Sequence, residues 1–115
     1  IPDAFFAKHQ AKYPPYARLS IPGGTYNGID DDTPSFSLAN GMVISKDVPE
    51  DLVYAMTKAI FENLGNLKAV HPAFGKVSKA TILNGFGAPL HPGALKYYRE
   101  IGVPGIEEFV KRTAN

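Results

Sequence analysis

A chain of 115 residues with 44% hydrophobic and 20% charged side chains is sized for one small domain that buries roughly two-thirds of its unfolded surface. It holds no apolar run near the roughly 20 residues that span a bilayer. Twelve basic against eleven acidic side chains leave a formal charge of +1, with no basic cluster, so no nucleic-acid partner is expected, and the absence of cysteine excludes disulfides, thiolate zinc sites and a cysteine nucleophile.

The chain opens IPDAFF, with neither an initiator methionine nor a signal-like pattern, and reads as an interior cut of a longer protein. Asp3 is placed to cap a first helix, DAFFAKHQAKY, in which Phe5, Phe6, His9 and Tyr13 fall at helical spacing before Pro14 and Pro15 end it. YARLSI then alternates as a short strand does, with Arg18 covering apolar surface by its stem. IPGGTYNGIDDDTP, from Ile21 to Pro34, suits neither helix nor strand. Its glycines accept positive φ, and Asn27 and the aspartates turn the backbone through their own hydrogen bonds.

From Pro34 to Ser45, PSFSLANGMVIS alternates at Phe36 and Leu38, then becomes continuously apolar at Met42, Val43 and Ile44. That is the pattern of a strand passing from a half-exposed to a fully buried setting. Asp47 and Glu50 in DVPEDL form a capping box with proline in the first turn. The helix that follows carries a stripe of Leu52, Met56, Ile60 and Leu64 beside Val53, Ala59 and Leu67, suited to packing on a sheet, and Gly65 stops it.

LKAVHPAFGKVSKATILNGFG reads as short helices broken at His71–Pro72 and Gly75, with Ser78 capping the segment of Ile82 and Leu83. Pro92 opens and Gly102 closes the helix in HPGALKYYREIG, and periodicity puts one of Tyr97 and Tyr98 in the core and the other at the surface. Pro104 opens PGIEEFVKR, where Glu107, Glu108, Lys111 and Arg112 complement the helix dipole. Five or so helical pieces thus accompany only two strands, and an isolated two-stranded sheet is marginally stable at best. The reading is an α/β chain that pairs with another copy or with strands in sequence outside it.

Motifs for chemistry are sparse. His9, His71 and His91 lack the spacing of a metal pair, and the last two precede prolines, where capping a helix start is the simpler role. Asp30, Asp31 and Asp32 do not follow a calcium-loop pattern. The glycine pairs match no phosphate-binding motif, and no serine sits in a nucleophile elbow. No metal, cofactor or catalytic residue is expected.

Three stretches taken together, IPGGTYNGIDDDTPSFSL, VPEDLVYAMTKAIFENL and PLHPGALKYYREIGV, resemble the C-terminal part of TAXI-family solute receptors, the extracytoplasmic binding proteins of one class of TRAP transporter. The resemblance implies an α/β fold, the C-terminal portion of a two-lobed periplasmic-binding-protein-like architecture with few strands and several packed helices. Residues 1–34 would be a second-lobe segment and hinge, and residues 35–115 a first-lobe segment, with the Ile21–Pro34 stretch absorbing the rotation of lobe closure.

It further implies a periplasmic or extracytoplasmic receptor, not an enzyme, that captures a small organic acid such as glutamate or a related dicarboxylate. The receptor would deliver it to the membrane subunits of a sodium-coupled TRAP transporter. On that reading Thr25, Tyr26 and Asn27 are the candidate ligand-binding residues, offering hydroxyl and amide groups beside a turn, and Arg18 is the only arginine nearby. The alternative, from another class, is a stand-alone α/β interaction module that homodimerises through its unpaired strand and the apolar side of Phe5 and Phe6.

Overall fold

A computed structural model describes every residue except Pro14 and Asn115. In chain order the described elements are α1 (Asp3–Lys12), β1 (Tyr16–Ile21), β2 (Thr33–Leu38), α2 (Glu50–Glu62), α3 (Leu64–Val70), a 3-10 helix (Pro72–Lys76), α4 (Pro92–Glu100) and α5 (Ile106–Thr113). The fold is α/β, combining several helices with one two-stranded antiparallel sheet among the described residues. Two compact units divide it: Ile1–Gly41 with Asn84–Gly87, and Met42–Leu83 with the chain from Ala88 on.

In the first unit, β1 and β2 pair from Tyr16 opposite Leu38 to Ile21 opposite Thr33. Pro34 has no N–H to give, so its pairing with Ser20 fits the ladder only as a non-hydrogen-bonded pair, which turns the proline toward the outer edge of β2. That register leaves the backbone groups of Tyr16 pointing outward from β1. They are satisfied locally, the N–H by the Tyr13 carbonyl at 3.2 Å and the carbonyl by the Gln10 amide at 2.9 Å.

α1 lies against the sheet face that carries Tyr16, Arg18 and Phe36. The Arg18 guanidinium stacks 4.3 Å from the Phe6 ring centroid and pairs with the Asp3 carboxylate, and Phe6 is buried. Asp3 was expected as a cap, but Pro2 holds the cap position and no side chain closes the helix start. The expected proline stop at Pro14 lies outside the described residues; the helix ends at Lys12, with Tyr13 N–H returning to the His9 carbonyl at 2.8 Å. Gly85 packs beside Ala17 and Ala39 on the opposite face, with φ +70°.

The second strand is shorter than its pattern suggests. β2 stops at Leu38, and Met42–Ile44 has no regular structure, with Met42 72% and Val43 85% exposed. A continuously apolar strand needs neighbours on both faces and both edges, and no third strand is present among the described residues. The stretch Ile21–Pro34 joins the two strands of a hairpin that lies within one unit. The chain passes to the second unit after Gly41.

The second unit is helical. Its centre is α4 packed on α2, with Tyr97, Tyr98, Val103 and Ile106 buried together. Gly93 permits the approach: a Cβ there would sit 2.3 Å from the Glu50 carbonyl oxygen and 2.6 Å from the Tyr54 nitrogen. Tyr97 meets Tyr54 and Phe61 (centroids 5.7 and 5.6 Å), and Tyr98 meets Phe61 at 5.6 Å. Both tyrosines are therefore core, contrary to the expected split, because α4 is covered on two sides, by α2 and by the chain that turns back at Val103. Burial raises the phenol pKa of each.

That turn is a Schellman motif: Val103 N–H bonds the Tyr98 carbonyl at 2.9 Å and Gly102 N–H the Arg99 carbonyl at 3.2 Å, with Gly102 at φ +68°. α5 then begins at Gly105 in the left-handed region, with Glu107 and Glu108 in its first turn and Lys111 and Arg112 in its last. Arg99 grips Glu107 through two bonds of 2.7 and 2.9 Å. This holds the Glu107 carboxyl below its ordinary range and the guanidinium above its own.

α2 departs from expectation at both ends. Pro49 is its cap position and no side chain caps it, so the Asp47–Glu50 box does not form; Ser45 Oγ accepts from Asp47 N–H at 3.3 Å instead. The helix ends at Glu62 with Asn63 as C-cap, and Gly65 sits inside α3 without positive φ. Its buried residues are Val53, which the expected stripe included, and Thr57, which it did not, while Leu52 and Met56 stay exposed. Beyond the 3-10 helix, Ser78–Leu83 is a series of turns rather than a helix, its Ser78 N–H donating to Thr81 Oγ1 at 3.1 Å.

The two His-Pro steps share one device. His71 Nδ1 accepts from Ala73 N–H and His91 Nδ1 from Gly93 N–H, each at 3.1 Å. His91 Nε2 also lies 3.0 Å from the Val48 carbonyl oxygen, which makes that ring the Nε2–H tautomer, accepting on one side and donating on the other. Both histidines cap helix starts.

Candidate functional site

The loop between β1 and β2 is fixed by its own backbone. Gly24 N–H donates to the Ile29 carbonyl at 2.7 Å, Thr25 N–H to the Pro22 carbonyl at 3.2 Å and Ile29 N–H to the Tyr26 carbonyl at 3.1 Å. Gly24 and Gly28 take φ of +78° and +82°, a region nearly closed to residues with a Cβ. The Asp32 carboxylate accepts from Gly23 N–H at 2.9 Å, locking the two ends of the loop together. A Cβ on Gly23 would lie 1.9 Å from the Asp30 carbonyl oxygen.

This lock presents Thr25, Tyr26 and Asn27 on one tight turn at the surface. Tyr26 is 63% exposed, and neither its hydroxyl nor the Asn27 amide has a hydrogen-bond partner among the described residues, so both are free to meet a ligand. Thr25 differs: its hydroxyl donates to the Pro22 carbonyl at 2.6 Å, so toward a ligand it can only accept. Arg18 is not available to the loop, since Asp3 and the Phe6 ring hold it. Asp30 and Asp31 stand exposed beside the turn, so a carboxylate ligand here needs its matching positive charge from groups beyond the loop.

Two residues that govern the loop were not singled out in the sequence. Asp32 reads there as one of three solvated carboxylates, and Gly23 as one of three turn glycines. Only the contact across nine positions distinguishes them. Among the described residues no three His, Asp or Glu side chains converge to hold a metal ion.

An α/β chain of several helices and a two-stranded sheet is consistent with a portion of a periplasmic-binding-protein-like fold; among the described residues no helix is long and apolar enough to cross a membrane. A model of the NMT1-like family, which is of that periplasmic-binding-protein-like kind, matches residues 1–102. The chain belongs to the NMT1-like family. The match takes in the hairpin, the loop and the helices through Gly102, with α5 beyond it.

Proposed function

We propose that the chain is part of an extracytoplasmic solute receptor that captures a small organic acid, glutamate or a related dicarboxylate, without catalysis. It would then present that ligand to the membrane subunits of a sodium-coupled TRAP-type transporter. Membership of a solute-receptor-like family carries this reading, and the three stretches that resemble TAXI receptors refine it. The loop supports it locally: a ligand-facing tyrosine and asparagine on a backbone that is already ordered lose little entropy on binding.

In this reading residues 1–34 belong to the second lobe and residues 35–115 to the first. The test is calorimetric titration of the full-length gene product with L-glutamate, L-glutamine and 2-oxoglutarate. Binding of at least one, weakened by Tyr26→Ala, is the expected result. Absence of binding to all three, with no closure in small-angle scattering, would overturn it.

A further inference from the structure

We infer that the hairpin unit carries a self-complementary surface through which two copies of the chain associate. One half is a row of rings. Phe5 stacks on His9 (6.0 Å, 9°), His9 meets Tyr13 and Tyr16 at 4.8 and 5.2 Å, and Tyr16 meets Phe36 edge-on at 5.3 Å. Phe5 is 62% exposed, Tyr13 43% and Phe36 45%, aromatic surface of the kind that fills the centre of protein interfaces. Lys8 and Lys12 lie on the Phe5 side of α1 by helical spacing, and neither joins an ion pair among the described residues.

The other half is the loop. Tyr26 and Ile29 are exposed and are followed by Asp30 and Asp31, whose carboxylates join no ion pair among the described residues. An aromatic and an aliphatic side chain flanked by two carboxylates are the chemical complement of rings flanked by two ammonium groups, one of which, Lys12 Nζ, already lies 5.4 Å from the Tyr13 ring centroid. Within one chain neither lysine pairs with Asp30 or Asp31 among the described residues. The Lys12–Tyr13 end of α1 is tied to Tyr16, whereas the loop leaves from Ile21, about 17 Å along the strand.

A second copy turned end for end brings each loop to the other's rings, giving two identical contacts and a closed twofold pair. Two lysines fall short of the roughly four to eight basic residues that hold a protein to anionic lipid. The hairpin unit as a whole also carries three basic side chains (Lys8, Lys12, Arg18) against four acidic (Asp3, Asp30, Asp31, Asp32), which disfavours nucleic acid. The inference shares Tyr26 with the receptor reading, but it requires no ligand and its α1 variants leave the loop untouched, so the failure of either is read separately.

Sedimentation velocity from about 10 µM to about 1 mM, the range of weak protein contacts, tests it. The average mass should rise toward that of a dimer, more so at low salt. Lys8→Glu with Lys12→Glu should weaken association about tenfold, and Asp30→Lys with Asp31→Lys likewise. Mixing the two reversed variants should restore a heterodimer, since both contacts become complementary again. A monomer at every concentration, or association that neither reversal weakens, or no recovery on mixing, would overturn it. Should circular dichroism show a reversed variant unfolded, the neutral pair Lys8→Gln with Lys12→Gln takes its place, with a smaller expected loss.

Discussion

Replacing Gly93 by alanine tests the packing of α4 on α2 directly. The added methyl would meet the Glu50 carbonyl oxygen at 2.3 Å, the Tyr54 nitrogen at 2.6 Å and the Val53 Cβ at 2.9 Å. Two of these are backbone atoms of the first turn of α2, so no side-chain rotation relieves them, and the helices must part by about 1 Å to restore contact distance. Overpacking of this kind costs about 1–3 kcal/mol, and here the upper part of that range applies. Against it stands the helix preference for alanine over glycine, about 0.5–1 kcal/mol.

The net expectation is a loss of about 2 kcal/mol, a fall in Tm of roughly 8 °C for a chain of this size. Gly65→Ala supplies the control. Gly65 lies inside α3 with no positive φ and open space around a built Cβ, so the same substitution should stabilise by about 0.5–1 kcal/mol. Thermal and urea unfolding followed by circular dichroism measure both. If the two variants shift Tm in the same direction, the close approach at Gly93 or the helical state of Gly65 is wrong.

The Arg99–Glu107 pair sets an acid limb. Because the Glu107 carboxyl titrates below its ordinary value, its contribution is present above the ordinary carboxylate range and is lost as pH falls through the lowered value. The urea midpoint of Glu107→Gln should therefore change less than that of the parent between neutral and strongly acid pH, and parallel profiles would refute the pairing. His91→Ala should cost about 1–2 kcal/mol through the lost cap on Gly93 and the orphaned Val48 carbonyl, with His91→Asn keeping most of the cap; equal losses for the two would argue against capping. Gly23→Ala should force the loop open, shifting amide resonances of residues 22–32 while leaving the helical unit's spectrum in place. Unchanged loop resonances would show that the 1.9 Å conflict is not real.

Local signals were legible in the sequence wherever a residue acts on its own neighbours. Gly102 and the dipole-matched charges of α5 work as read, as do the two His-Pro caps, since each needs only the geometry of one helix end. Signals requiring a choice between competing partners were not. Asp3 could cap α1 or pair with Arg18, and the guanidinium fifteen positions away, itself stacked on the Phe6 ring, wins. Asp47 and Glu50 spell a capping box, yet Pro49 in extended geometry takes the cap position and α2 starts at Glu50. At the candidate site, the turn that carries Thr25, Tyr26 and Asn27 was legible in advance. The Asp32–Gly23 lock that orders them could not, because nothing in the spacing of three consecutive aspartates says which one folds back.

The remaining misreadings have a common cause. Met42–Ile44 reads as a buried strand and is exposed; Leu52 and Met56 read as part of the packed stripe of α2 and are exposed, while Val53 of the same stripe is buried with Thr57. Hydrophobic patterns report the surroundings a segment is shaped for, and both patterns call for a sheet layer that the described residues do not contain. α2 therefore has two apolar sides, one satisfied by α4 and one facing solvent. In the receptor reading the second side and the Met42–Ile44 run are where further strands pack. A helix whose whole apolar surface had been matched to α4 would need neither.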